Sequence, residues 1–200
     1  NLNTTSLENR GNGTLVADHN INITASYLMT DAGSQIAAGS DAMLFVMNNL
    51  DNSGDIRAAH DINLNVMGSY GWSQSTAYNY GTMTAGNKLN AQMDRVNLIN
   101  GGTLSADNGI TLVSNYLTNS GNITSASDIT LNTASGINNE ASVNITGDRV
   151  YTTGYVNNMG TINEAGAATT DIGATHPANG PTTHYDSNNN PDLYATPDHS

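Results

Sequence analysis

The sequence contains no cysteine, one tryptophan, one phenylalanine and only five lysine or arginine residues among 200. Without cysteine, the chain can form neither a disulfide bond nor a thiolate metal site. The five basic residues are outnumbered by 17 acidic ones, which gives a formal net charge of −12. Such a charge repels phosphate groups, so we expect no binding to nucleic acid and no attraction to anionic lipid headgroups.

Long apolar runs are missing as well. No run approaches the roughly 18 residues that cross a bilayer, and residues 1–10 lack the basic start and apolar stretch of a signal peptide. Hydrophobic residues make up 37% and charged residues 11% of the chain, against about 45–50% and about 25% in ordinary domains. The chain is therefore not expected to insert into a membrane, and something other than a compact apolar core must organise it.

One aliphatic position recurs at nearly constant spacing within the pattern Asn, any residue, Gly, any residue, aliphatic, any residue, small residue. Its eight members, here called the anchors, are Leu15, Ile36, Ile56, Met83, Leu104, Ile123, Val143 and Ile162. The intervals between them are 21, 20, 27, 21, 19, 20 and 19 residues. A random polar tract does not keep such a register, so the sequence predicts a repeat protein with an insertion in the 27-residue interval.

Two further groups of apolar residues follow each anchor at fixed distances. Six and eight residues after it come the pairs Ile21 and Ile23, Ala42 and Leu44, Ile62 and Leu64, Leu89 and Ala91, Ile110 and Leu112, and Ile129 and Leu131. A third apolar position comes thirteen or fourteen residues after it, at Leu28, Leu50, Tyr70, Val96, Leu117, Ile137 and Val156. Alternation at period two is typical of strands with one buried face, so we expect three short strands per repeat.

Three short strands cannot bury their apolar side chains alone, so each repeat must stack on the next. The sequence therefore predicts an all-β fold, a right-handed parallel β-helix of about eight coils over residues 1–163. The segment 164–200 contains all four prolines and ends the repeat. We expect it to be an irregular linker or the start of a following domain.

Asparagine recurs four residues before the anchor in six consecutive repeats. The six residues are Asn52, Asn79, Asn100, Asn119, Asn139 and Asn158. Gly11 and Ala32 stand at this position in the first two repeats. We expect the six amides to stack as a structural hydrogen-bonded ladder, since Asn suits a corner and amides can bond to their counterparts above and below. The alternative is a row of exposed amides that bind a ligand.

Aromatic residues concentrate in the long interval, at Tyr70, Trp72, Tyr78 and Tyr80. Aromatic rings with Ser, Asn and Gln nearby suit carbohydrate stacking or a protein hot spot, so this segment is a candidate contact loop for a partner. The alternative is that the rings pack locally and cover the side of the solenoid.

Parallel β-helices also include enzymes that act on polysaccharides, and these need clustered carboxylates or a basic residue beside an acidic sugar. Acidic residues recur once per repeat before the second strand, at Asp61, Asp107, Asp128 and Asp148. A single column indicates solvated corners rather than an acid and base pair. The histidines of segment 164–200 lack the close spacing of metal ligands. We therefore predict no catalytic residue, cofactor or metal, with a carbohydrate-active enzyme as the alternative.

Two segments carry a family resemblance, LTNSGNITSASDITL at 117–131 and LDNSGDIRAAHDINL at 50–64. They resemble the repeats of filamentous haemagglutinins, which occur in two-partner secretion exoproteins and in contact-dependent growth inhibition effectors of Gram-negative bacteria. The resemblance extends from residue 7 to about residue 163. The chain departs from it between Val143 and Tyr155, where Arg149 falls in an apolar column.

This resemblance implies a stalk segment of an adhesin or of a growth-inhibition effector, secreted or exposed at the cell surface, rather than an enzyme. It implies an outer-membrane transporter as the partner during export, and a cell-surface receptor or glycan as a possible later partner. Because Leu7 to Asn9 reads as the end of a preceding coil, we expect the chain to be part of a longer protein.

Overall fold

The computed structural model describes residues 1–68 and 75–166, and those residues form strands joined by tight corners. The strands alternate between two sheets. The first sheet has ten strands: β1 (Leu2–Asn9), β3 (Ile21–Thr30), β5 (Ala42–Asn52), β7 (Ile62–Val66), β8 (Ser75–Asn79), β10 (Leu89–Asn100), β12 (Ile110–Asn119), β14 (Ile129–Asn139), β16 (Val150–Thr153) and β17 (Val156–Asn158). The second sheet has eight: β2 (Thr14–Ala17), β4 (Gln35–Ala38), β6 (Asp55–Ala58), β9 (Thr82–Ala85), β11 (Thr103–Ala106), β13 (Asn122–Ser125), β15 (Asn144–Gly147) and β18 (Thr161–Glu164).

Each strand pairs in parallel with the equivalent strand one coil away. In the first sheet β3 lies between β1 and β5, and in the second sheet β4 lies between β2 and β6. The chain therefore winds through both sheets once per coil and always runs in the same direction. This confirms the predicted all-β parallel solenoid. Its apolar core is a narrow column between the two sheets, which explains how a chain with few hydrophobic residues forms a stable fold.

The solenoid has about seven turns. The eight strands of the second sheet delimit seven complete coils, because a coil closes only where the chain returns to the same sheet. The prediction of about eight coils was based on the eight anchors. It therefore exceeded the number of complete coils by one.

Each coil has two straight segments in most places, where we expected three. The second and third apolar groups of a repeat lie on one long strand, such as β3, β5 or β12. The pairing register shifts within these strands, for example between Ala25 and Tyr27. The strand continues through this irregularity, so the corner predicted between the two groups lies inside a single strand.

The anchors lie at the centre of the second sheet. Ile36 pairs with Ile56, Ile56 with Met83, and Leu104 with Ile123. The side chains of these residues are at most 2% exposed. The pairs expected six and eight residues after each anchor also stack, as in the contact of Ile21 with Ala42 and of Ile23 with Leu44. The predicted alternation of buried and exposed residues is thus confirmed.

The prediction for the seventh anchor is wrong, because Ile145 and not Val143 occupies this column. Ile145 pairs with Ile123 on one side and with Ile162 on the other, and it is fully buried. Val143 lies in the preceding corner and is only half-buried. The corner after Asn139 is two residues longer than its neighbours, with Ser142 at a φ of 67°, so counting a fixed distance from the preceding Asn fell two residues short.

Two members of the third apolar column also differ from the prediction. Leu98, not Val96, pairs with Leu117, and Ala77 pairs with Leu98. Val96 is buried nearby but pairs with Ser75. Tyr70, expected in this column, lies outside the described residues.

The extra residues of the long interval fall between β7 and β8. The anchor strands on either side of them, β6 and β9, still pair directly through Ile56 and Met83. The insertion therefore leaves the stacking of coils unchanged. Most of segment 164–200 lies outside the described residues, and the linker assignment stays a prediction.

The two candidates for the seventh anchor give opposite expectations for stability. Ile145→Ala removes a fully buried side chain and should lower the free energy of unfolding in urea by about 2–5 kcal/mol. Val143→Ala removes a half-buried side chain and should lower it by about 1 kcal/mol or less. Equal losses for the two variants would contradict the register described here.

Candidate functional site

The six predicted asparagines form a continuous column of hydrogen bonds, here called the Asn ladder. The Nδ2 of each amide donates to the Oδ1 of the amide in the next coil. The distances are 2.7 Å for Asn52 to Asn79, Asn79 to Asn100, Asn100 to Asn119 and Asn119 to Asn139, and 2.8 Å for Asn139 to Asn158. Because all five bonds run in the same direction, the amide dipoles align and strengthen one another.

A second hydrogen bond fixes most of these amides to the next coil of the second sheet. Asn52 donates to the carbonyl of Thr82 at 3.2 Å, Asn79 to Thr103 at 3.3 Å, Asn100 to Asn122 at 3.3 Å and Asn139 to Thr161 at 3.4 Å. The side chains from Asn52 to Asn139 are completely buried. No external ligand can reach them, so the ladder acts as an internal fastening of the corner between the two sheets.

The structure extends the column to Asn9 and Thr30, and not to Gly11 and Ala32 as the spacing predicted. Thr30 pairs with Asn9 on one side and with Asn52 on the other, and its hydroxyl donates to Oδ1 of Asn52. Gly11 and Ala32 lie exposed in the corners that follow. These two corners, like the one after Asn139, are longer by two residues, which displaces the column relative to the anchor.

The glycines beside the ladder are required by the close stacking of backbones. A Cβ atom placed on Gly102 would overlap the carbonyl oxygen of Gly81, and one on Gly121 would overlap that of Gly102. The small-residue column two positions before the anchor is therefore a consequence of the distance between coils.

Two of the four predicted contact aromatics lie in the described part of the chain. Tyr78 is in strand β8, and Tyr80 lies in the corner between β8 and β9. Their rings stack with centroids 5.8 Å apart and planes inclined by 20°. Tyr80 is 54% exposed and lies over Gly101, whose missing side chain leaves room for the ring. Tyr70 and Trp72 lie outside the described residues.

The four acidic residues expected in one column occupy two. Asp61 and Asp128 each precede a strand of the first sheet, whereas Asp107 and Asp148 follow strands of the second sheet. Asp61 accepts hydrogen bonds from the side chain of Asn87 at 2.6 Å and from the backbone of Lys88 at 3.0 Å.

The partner of Asp128 is a basic residue, Arg149, and not a second acidic residue. Asp128 forms an ion pair with Arg149 at 3.3 Å, and the hydrogen bond to this carboxylate raises the pKa of Arg149. Arg149, which the sequence placed in an apolar column, lies one residue before β16, while Val150 takes the core position. Asp61 and Asp128 thus bond to different partners and do not face each other as an acid and base pair. This arrangement is typical of solvent-exposed corners.

Sequence reasoning missed a polar cluster on the outer face of the second sheet. Asp55 and Arg57, two residues apart on β6, form an ion pair. Thr82 donates to Oδ1 of Asp55 at 2.6 Å. The Gln35 amide, with its carbonyl oxygen toward Arg57, accepts hydrogen bonds from Nη2 at 2.9 Å and from Nε at 3.0 Å. The sequence did contain one sign of this cluster. Asp55 and Arg57 flank the inward-facing anchor Ile56, and because successive side chains of a strand point to opposite faces, both must point outward.

Residues 1–68 and 75–166 contain no group of three or more acidic or histidine side chains placed to hold a metal ion. The same residues include no helix with the length and apolar character needed to cross a membrane.

The sequence profile of the haemagglutinin repeat family matches the chain three times, over residues 1–65, 46–131 and 76–176. These overlapping matches cover the whole described solenoid. No curated protein and no solved structure matches the chain.

Substitution of a central ladder residue should be costly, whereas substitution of an exposed asparagine should not. Asn119→Leu removes the acceptor of Asn100 and the donor to Asn139. We expect the free energy of unfolding to fall by about 1–3 kcal/mol. Asn122→Leu changes an exposed side chain three residues away and should stay within about 0.5 kcal/mol of the wild-type value.

Thermal and urea unfolding of both variants measure this difference. An unchanged melting temperature for Asn119→Leu would show that the ladder does not contribute to stability.

Proposed function

The chain belongs to the haemagglutinin repeat family, and on that basis we propose that it is a non-catalytic stalk segment of a secreted or surface-exposed bacterial exoprotein. The family suggests a secreted bacterial protein, and its repeats are typically non-catalytic segments of adhesins. The observation that carries the stalk role is the uninterrupted parallel stacking of coils from β1 to β18.

The stacked coils give the segment the properties of a spacer. Parallel strands lie about 4.7–4.9 Å apart, so the eight strands of the second sheet extend over about 34 Å along the axis. Each inner coil is hydrogen-bonded to two neighbours through both sheets and through the Asn ladder. This continuity supports a role in holding other parts of a protein apart.

We place the protein in a two-partner secretion system of a Gram-negative bacterium, with an outer-membrane transporter as its partner during export. The absence of cysteine supports this route, because a disulfide formed in the periplasm would obstruct threading through a pore. The parent protein would be an adhesin or a contact-dependent growth inhibition effector.

The stacked pair Tyr78 and Tyr80 is our candidate contact with a cell-surface receptor or glycan. Tyr80 exposes more than half of its surface, and its ring stacks on that of Tyr78. Preorganised aromatic surface of this kind is typical of binding hot spots. The charge of −12 disfavours nucleic acid as the partner.

A polysaccharide-cleaving enzyme receives less support from the geometry. Glycoside hydrolysis needs two carboxyl groups on either side of the bond that is cleaved. Asp61 and Asp128 are instead bonded separately, to Asn87 and Lys88 in one case and to Arg149 in the other.

Removal of the tyrosine pair should weaken adhesion without unfolding the chain. Beads coated with the Tyr78→Ala/Tyr80→Ala variant should be retained on epithelial cells at least about tenfold less than beads coated with the wild-type chain. Tyr155→Ala is the matched control, because Tyr155 is 71% exposed and lies at the far end of the first sheet.

Equal retention of both variants and the wild-type chain would show that the tyrosine pair is not the contact. Release of reducing ends from polysaccharide by the wild-type chain would contradict the non-catalytic role itself.

A further inference from the structure

The outward side chains on the second sheet carry no net charge. Among the outward side chains of its eight strands, Asp55 and Arg57 are the only charged ones, and they neutralise each other. The remaining outward positions carry mainly Thr, Ser, Asn and Gln, as in Thr82, Thr84 and Thr103. This strip is electrically neutral although the chain has 17 acidic residues.

The polar cluster of Gln35, Asp55, Arg57 and Thr82 lies in this strip and is held in a fixed arrangement. Exposed arginines ordinarily lose much rotamer freedom when they bind a ligand. Arg57 is already oriented by Gln35 and Asp55, although its side chain is 54% exposed. A ligand that binds here therefore avoids much of the entropic cost of ordering the side chain.

The cluster still has hydrogen-bonding capacity for a ligand. The bonds to Gln35 and Asp55 involve Nε and Nη2 of Arg57, and within the described chain the two N–H groups of Nη1 are left for a further acceptor. Each oxygen of Asp55 receives one donor, from Thr82 or from Arg57, and can accept another. The cluster thus offers both donors and acceptors to a ligand.

Two shallow depressions flank the Arg57 side chain, which contributes to the lining of both. One, of about 470 Å³, is bounded by corner residues such as Gly33 and Ser53. The other, of about 520 Å³, is lined by small apolar side chains that include Ala37 and Ala59, and also by Asp18. Both are broad and largely open to solvent. Together they cross four strands, about 14 Å at the spacing of parallel strands.

We propose that this surface is a binding site for a neutral oligosaccharide, with Arg57 at its centre. A pyranose has hydroxyl groups around its edge and an apolar C–H face, which match the polar cluster and the alanine side chains. The neutral strip within a strongly acidic molecule favours an uncharged ligand over an anionic one. The site is on a different sheet from Tyr78, and its existence does not depend on the stalk role.

The test uses neutral hexasaccharides of β-1,4-glucan, β-1,3-glucan and α-1,4-glucan, with a hyaluronan hexasaccharide as the anionic comparison. Each is titrated into the ¹⁵N-labelled chain to millimolar concentration. At least one neutral probe should shift the backbone resonances of Ala37 and Thr84 and the Nε–Hε resonance of Arg57. Arg57→Ala should raise the dissociation constant at least about tenfold. Ala37→Gln, which fills the second depression without adding charge, should also raise the dissociation constant.

Arg149→Ala is the matched control, since Arg149 is also an exposed arginine paired with an aspartate but lies in a corner. It should bind the probe as the wild-type chain does. Four results would overturn the proposal. The first two are the absence of any resonance shift with the neutral probes and binding of hyaluronan alone. The others are an equal loss of affinity in Arg57→Ala and Arg149→Ala, and shifts that depend only on protein concentration, which would report a second copy of the chain on this face.

Discussion

The structure depends on one geometric constraint, the fixed distance between parallel strands in successive coils. At about 4.8 Å, equivalent side chains lie directly above one another, so each position must suit the same residue type in several coils. Large aliphatic groups stack inward at the anchors, and amides stack at the corner where Asn119 bonds to both of its neighbours. Where backbones approach most closely, at Gly102 and Gly121, there is no room for a side chain.

The same constraint explains how much of the fold could be predicted from the sequence. A column repeated in every coil produces a periodic signal, which indicated the parallel solenoid and most of the buried positions. The errors in register arose where the coil length changed locally. The longer corner after Asn139 moved the anchor from Val143 to Ile145, and similar corners moved the ladder position from Gly11 to Asn9 and from Ala32 to Thr30. A periodic sequence pattern is found by counting residues, but the fold preserves the contacts between strands even where the number of residues in a coil changes.

The candidate sites were less predictable for a related reason. Composition drew attention to the aromatic segment, but it could not show that Tyr78 belongs to a strand and stacks on Tyr80. The cluster around Arg57 joins side chains from three coils, and no short motif contains Gln35, Arg57 and Thr82 together. Such a site becomes visible only when the register between coils is known, because its residues are neighbours across strands and not along the chain.

The directional bonding of the Asn ladder has a consequence for how such a protein can change its length. Every inner amide accepts from one side and donates to the other, so any two coils with corners of equal length present identical ends. Duplication or loss of one whole unit, for example between Asn79 and Asn100, would rejoin matching donors and acceptors. Gene rearrangements that add or remove complete units therefore preserve the hydrogen bonding of the interior, while insertions of other lengths are accommodated only outside it, as between β7 and β8.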